Sequence, residues 1–240
     1  MKFTPADTRA APATAPTVVN RPLHVLHLIE SLGAGGAERL LYTNLKHLDG
    51  GRVRSTVVTV FARPDHWAGA IRGLGVPVVS LDCRSPRDLP AGVARLRRRL
   101  RASRPDIVHS HLWAANVIGR VAGRLAGVPV VSSVHNPDHE PEAWEDGADV
   151  SRWKRHLSLS LDRWTARAGC ARMVAVSDYV RRCVHLRLKF PLARIELLYN
   201  PIDTDALLSP PARGRGELLR ECGLDDDSVV LLNVGRVSPQ

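Results

Sequence analysis

The sequence predicts an α/β fold, an open and mostly parallel sheet with helices on both faces. Three observations carry the prediction. Short apolar runs rich in Val, Ile and Leu alternate with stretches of helical spacing, and that alternation builds crossover units rather than hairpins. A hydrophobic content of 44% over 240 residues is ample for a core. There is also no internal repeat of the length that would mark a solenoid or propeller.

The elements follow in order. "LHVLHLI" (23–29) reads as a strand, "SLGAGG" as a loop and "AERLLYTNLKHL" (37–48) as a helix. "VRSTVVTVF" (53–61) is a strand, with a short helix near "HWAGAIRGLG" and a strand at "VPVVSL" (76–81). An arginine-rich helix comes next, then "DIVHS" as a strand and "AANVIGRVAGRLAG" as a helix. "PVVSSVH" (129–135) is a strand opening into the polar loop "NPDHEPEAWEDGADV". A helix over 151–168 aligns Trp153, Leu157, Leu161 and Trp164 on one stripe. "ARMVAVS" is a strand, "DYVRRCVHLRL" a helix and "ARIELLY" a strand before "NPID". Finally "VVLLNV" (229–234) reads as a buried strand closed by Gly235 and a Ser-Pro turn.

Residues 1–20, with Pro5, Pro12 and Pro16 among Ala and Thr, lack a secretory apolar core and read as a disordered lead-in. "SPPARGRG" (209–216) shifts composition to Pro, Gly and Arg. The expected division is therefore a main domain over 21–208 and the start of a second over 209–240. No apolar run approaches the roughly 18 residues that span a bilayer. Cys83, Cys170, Cys183 and Cys222 lack CxxC spacing, which fits reduced thiols and a cytoplasmic setting.

The net charge of +10 gathers in "RLRRRLRASR", where Arg95, Arg97, Arg98, Arg99, Arg101 and Arg104 accompany Val93, Leu96 and Leu100. The apolar three pack inward and the arginines stay in water. Such a face is either simply solvated or drawn to an anionic membrane surface. Nucleic acid is disfavoured, because aromatics make up only 5% of the chain and no recognition signature accompanies the basic run.

In a parallel sheet, ligands collect at the carboxyl ends of strands. The first such loop carries Gly33, Gly35 and Gly36 before a helix. Glycines allow close approach of a ligand, and a helix start offers free N–H groups to anions. The dinucleotide pattern GxGxxG fails, since Glu38 stands where its last glycine would be, and no acidic residue marks the tip of the second strand. His109 and His111 form an HxH that puts both imidazoles on one strand face, and His135 and His139 flank the next tip. A hydrolytic zinc site drawing on Asp106, Asp138 or Glu140 is conceivable from these, though no tight ligand set is evident. "DTD" (203–205) and "DDD" (225–227) fit turns and helix starts better than metal sites.

Taken together, "VLHLIESLGAGGAERLLYTNL", "PDIVHSHLWAANVIGRVAGRLAGVPVVSSVHN", "MVAVSDYVRR", "IELLYNPID" and "VVLLNVGRVSPQ" resemble a GT-B glycosyltransferase of family 4 type. The likeness runs from residue 23 to the last residue, in the family's order. It implies two Rossmann-like domains, the first receiving the acceptor and the second holding a nucleotide-sugar donor. It also implies transfer with retention, with no cofactor and no essential metal. Gly35 and Gly36 match the glycine loop that lies against the donor's phosphate and sugar, and His135 with Asn136 matches the strand tip that contacts the transferred sugar. His111 and Glu38 match cleft positions of variable role, and Arg236 matches an arginine that contacts the diphosphate.

The implied acceptor is a glycolipid or polysaccharide precursor; the cysteine pattern and the basic helix add a cytoplasmic location, on or near the inner membrane face. The lysine and acidic region that follow the matching arginine in the family have no counterpart before Gln240. The expectation is a truncated chain, inactive alone. A non-enzymatic module that binds acceptor or membrane is the competing expectation.

Overall fold

The computed structural model describes residues 21–63, 65–137, 152–209, 214–225 and 227–231. Among them lies a sheet of seven parallel strands in the order β3-β2-β1-β4-β5-β6-β7. The strands are β1 (Leu23–Ile29), β2 (Val53–Phe61), β3 (Val78–Cys83), β4 (Ile107–His111), β5 (Val130–Val134), β6 (Arg172–Ala175) and β7 (Ile195–Leu197). The helices are α1 (Gly36–His47), α2 (Ala68–Gly73), α3 (Leu89–Ser103), α4 (Trp113–Ala126), α5 (Arg152–Gly169), α6 (Asp178–Leu188), α7 (Thr204–Leu208) and α8 (Arg215–Glu221). The Rossmann-like α/β expectation holds, with most boundaries within two residues.

Strand order reverses between β1 and β4, so the crossovers run leftward through α1 and α2 and rightward through α3 to α6. Right-handed crossovers therefore place the first two helices on one face and the later ones on the other. Alternation along β1 agrees. Leu26 and Leu28 join Leu96, Leu100 and Ile118 in the core beneath α3 and α4, whereas Ile29 packs with Leu41, Leu45 and Ile71 beneath α1 and α2. A third apolar cluster, with Met173, Val180, Val184, Leu188 and Phe190, closes the β6–β7 end.

Helix ends follow local chemistry. Ser177 caps α6 by accepting from the Val180 N–H at 3.2 Å. Gly127 ends α4 at φ 73°, a left-handed conformation that suits glycine. Close packing of the helix layer depends on glycine as well. A Cβ on Gly92 would meet Ile118 at 2.9 Å, and one on Gly169 would meet the Arg120 backbone oxygen at 2.5 Å.

Packing decides where one stripe faces, and two expectations need correction. Within α5 the buried residues are Asp162, Thr165 and Ala166, so Trp153, Leu157 and Trp164 of the stripe face outward at 63%, 59% and 62% exposure, while Leu161 is half-buried. The strand expected over 193–199 covers only Ile195–Leu197, with Leu198 and Tyr199 exposed. Val229 to Leu231 carry no strand pairing, and Val229 and Leu231 are 91% and 94% exposed. No described helix or strand covers them, and burying a parallel strand takes helices on both faces. The lead-in, most of the polar loop and residues 232–240 lie outside the described residues.

Candidate functional site

The carboxyl ends of β1, β4 and β5 bring the candidate residues to one edge of the sheet. Past β1, Glu30 accepts a hydrogen bond from the Ala114 N–H at 2.7 Å and so ties this tip to the start of α4. Burial pushes the Glu30 carboxyl up, opposed by that N–H and by Arg63, while Glu38 adds to the rise. Gly35 then opens α1 in extended backbone, with no side chain capping the first turn. The early N–H groups of α1 are thus uncommitted to a cap, as anion binding at a helix start requires. Glu38 is buried, and its carboxylate lies where a Cβ on Gly35 would stand. Glycine at 35 is what lets that carboxylate fold back over the loop.

Four imidazoles form a row across the neighbouring tips. His27 is in register with His109 on the adjacent strand, and His111 lies two residues further along the same face. Ring centroids are 5.6 Å apart for His27–His109, 4.2 Å for His109–His111 and 5.5 Å for His111–His135. His111 Nδ1 and His135 Nε2 share a hydrogen bond of 3.3 Å, and His109 Nε2 bonds Ser133 Oγ at 2.8 Å. Burial lowers every pKa in the row, His27 to about 3 and His109 to about 4, with His111 well below its ordinary value. His135, at the open end, is lowered too, again by burial. The row is therefore uncharged at neutral pH.

Behind the tips lies a polar floor that the sequence did not reveal. Ser110 Oγ donates to Asn116 Oδ1 at 2.7 Å and meets Ser132 Oγ at 2.9 Å, and Arg120 Nε donates to Ser132 Oγ at 2.9 Å. Arg120 is fully buried and pairs with Asp162 of α5. The only available signal was a polar residue inside an otherwise small and apolar helix face. The turn between β4 and α4 is also unusual. Leu112 sits at φ 71° and ψ 161°, a region occupied almost only by glycine. Leu112, Trp113, Asn116, Ser133, His135 and Asn136 line a small pocket at this point.

Gly35, Gly36, Glu38, His111, His135 and Asn136 thus all stand at the carboxyl edge of the sheet, with Asn136 exposed and His111 buried. Gly36 and Arg39 also line a cleft of about 380 Å³ against Asn200, Pro201, Ile202 and Asp203. Lys46, further along α1, donates to Asp203 at 2.7 Å. Arg236 lies outside the described residues, as do Asp138, His139 and Glu140. Asp106 does not belong to a tip cluster. It precedes β4, at the opposite end of the strand, where Arg21 and the His24 N–H bind its carboxylate and hold it at about 2.

The sequence pattern of glycosyltransferase family 4 matches residues 34–206. The chain is 28% identical over 178 residues to the UDP-Gal:alpha-D-GlcNAc-diphosphoundecaprenol alpha-1,3-galactosyltransferase of Escherichia coli, covering 73% of this chain and 43% of that protein. It is 25% identical over 214 residues to EpsF of Bacillus subtilis, covering 88% of this chain and 53% of EpsF. The chain spans about half the length of the curated relatives it matches. Among solved structures, Anabaena HepE in complex with UDP-glucose superposes with a TM-score of 0.65 at 19% identity, over 84% of this chain and 50% of HepE. The lipopolysaccharide outer core galactosyltransferase WaaB gives 0.56 at 13%, over 80% and 50%. At these identities the structural likeness is one of fold, the Rossmann-like N-terminal half of GT-B glycosyltransferases. A family pattern that covers most of the chain, on that fold, assigns the protein: it belongs to glycosyltransferase family 4.

Proposed function

We propose that this protein serves retaining transfer of a sugar from a nucleotide-sugar donor to a glycolipid or polysaccharide-precursor acceptor. The observation that carries the reading is the placement of His135 at the β5 tip, hydrogen-bonded to His111, on the same sheet edge as the uncapped start of α1. As a diphosphate leaves, negative charge develops on its oxygens while the sugar becomes oxocarbenium-like. Donors fixed in advance toward those oxygens lower that barrier. In this reading Gly35 and Gly36 give the donor's phosphate and sugar a close approach, and His135 and Asn136 contact the transferred sugar. Glu38 and His111 stand buried beside the cleft, His111 behind the His135 ring to which it is hydrogen-bonded, and Arg236 offers a planar guanidinium to the diphosphate. A uridine diphosphate donor is the first to try, because the E. coli relative is named for UDP-Gal and HepE was solved with UDP-glucose. A domain boundary near residue 208 belongs to the same reading.

The test is transfer from UDP-, GDP- and ADP-sugars to a diphospholipid-linked sugar, using the chain alone and the chain fused to the second half of EpsF. Product with retained anomeric configuration, reduced about 100-fold or more by His135→Ala, supports the proposal. An inverted product, or a His135→Ala enzyme of undiminished rate, sinks it.

A second reading, binding to an anionic membrane surface, has its own observations. Arg95, Arg98 and Arg101 are exposed on α3 and Arg104 just past its end, and Trp153, Leu157 and Trp164 are exposed on α5 beside Arg152 and Lys154. Basic residues flanking an exposed aromatic face suit the headgroup region of a bilayer. No helix of the described residues is long and apolar enough to cross one. In this reading the protein is cytoplasmic and peripheral on the inner face. Sedimentation with anionic vesicles should exceed that with neutral ones, fall with salt, and fall again on changing Arg97, Arg98 and Arg101 to Gln. Equal sedimentation with both vesicle types would leave α3 a solvated face.

A further inference from the structure

The row of imidazoles has a property that sugar transfer does not use. One ring nitrogen from each of His27, His109 and His111 lies within 4.8 Å of the others. One nitrogen of each ring already has a polar contact. His27 Nε2 meets Ser55 Oγ at 3.4 Å, His109 Nε2 meets Ser133 Oγ at 2.8 Å, and His111 Nδ1 meets His135 Nε2 at 3.3 Å. Meanwhile His27 Nδ1 and His111 Nε2 are buried without any hydrogen-bond partner. His27 is 5% exposed and His111 2%. Orphaned buried nitrogens are costly, and native structures seldom leave two of them in neighbouring rings unanswered.

We infer that His27, His109 and His111 form a structural site for one divalent transition-metal ion of the zinc class, pinning β1 to β4 at the point where strand order reverses. Metal-bound histidines characteristically donate their second ring N–H to a polar group, which fixes the tautomer and turns the lone pair of the first nitrogen toward the ion. Both serines offer that partnership here. Zinc–nitrogen bonds of about 2.0–2.1 Å in a tetrahedron set ligand nitrogens about 3.3 Å apart. Metal binding would draw the three nitrogens together from within 4.8 Å to that spacing. Imidazole-only ligation selects zinc, nickel, cobalt or copper over magnesium and calcium, which need oxygen donors. Glu30, the carboxylate at the β1 tip, is committed to the Ala114 N–H.

Three rings leave the fourth tetrahedral position to a water, and burial makes the site structural rather than catalytic, since no substrate-sized group could reach a metal behind rings this enclosed. Its link to the proposed chemistry is indirect: the His111–His135 bond would hold the His135 ring in place. The inference stands on the geometry of the three rings and does not depend on the transfer reading.

The experiment strips the full chain with a chelator and titrates it with Co²⁺ and Zn²⁺. Each is supplied both to the folded chain over hours and during refolding from urea, so that slow entry cannot hide binding. One equivalent of Co²⁺ should give the intense visible bands of a tetrahedral site. Zn²⁺ should displace it and raise the melting temperature. His27→Gln and His109→Gln should each abolish the bands, whereas His66→Gln, altering an exposed ring, should leave them intact. Should either ligand variant fail to fold, Ser133→Ala keeps all three rings and should weaken Zn²⁺ binding about tenfold or more. Absence of stoichiometric binding under both loading regimes would overturn the inference. So would binding that survives His27→Gln and His109→Gln together, or that is indifferent to Ser133→Ala.

Discussion

Arg120 and Asp162 form an ion pair enclosed between α4 and α5, with the arginine side chain wholly buried and the aspartate side chain 10% exposed. Arg120 also donates to Ser132 of β5, so one guanidinium joins two helices to the strand that carries His135. Removing one partner leaves the other charged and desolvated. Arg120→Leu and Asp162→Leu should each destabilise by about 3–5 kcal/mol. The double change to leucine should recover much of that, because two apolar side chains leave no charge stranded. Urea unfolding of the three variants decides. Additive losses in the double variant would mean that the pair is not a coupled unit.

Leu112, at φ 71° and ψ 161°, should store backbone strain on the order of 1–3 kcal/mol. Leu112→Ala keeps the strain and loses the side chain, while Leu112→Gly loses the side chain but relaxes the backbone. The glycine variant should therefore be the more stable of the two by about 1 kcal/mol, the reverse of the usual order. A glycine variant less stable than the alanine one would show that the turn is unstrained.

Glu30 gives a pH prediction. Its carboxyl is raised by burial, so the folded state holds a proton that the unfolded state has already lost above about pH 4.5. Stability should therefore fall as pH rises from there through the folded value. Glu30→Gln keeps an oxygen for the Ala114 N–H and removes the buried charge. It should melt higher than the parent at pH 7.5, with the gap closing near pH 4. A gap of the same size at both pH values would assign the gain to something other than ionisation.

Gly35 and Gly169 test what a glycine is for. A Cβ at either collides, at Gly35 with the carboxylate of Glu38 and at Gly169 with the backbone oxygen of Arg120. A side-chain end can swing away and a helix backbone cannot. Gly35→Ala should leave the melting temperature nearly unchanged yet lower transfer or donor affinity. Gly169→Ala should destabilise by about 1–3 kcal/mol as α5 is forced off α4. Equal stability costs would show that the Glu38 carboxylate is as rigid as the backbone.

Much of the fold was legible because each strand and helix announces itself locally. "LHVLHLI" and "DYVRRCVHLRL" carry their own spacing and bounds, and Ser177 supplies its own cap. A parallel sheet of crossover units follows from their alternation, and the glycine loop and the strand-tip His135 follow from the rule that ligands gather at the carboxyl ends. Tertiary structure decided what depends on partners far along the chain. HxH spacing set His109 beside His111, but His27 joins them only through the β1–β4 register, 82 residues apart in sequence. Arg120 has the look of a solvated helix residue until Asp162 arrives from α5 to share its burial. The Trp153–Leu157–Trp164 stripe has the spacing of a core face yet points outward, because α5 meets α4 through Asp162, Thr165 and Ala166 instead. Local spacing sets which residues share a face. Only the packing of other elements determines whether that face meets protein or solvent.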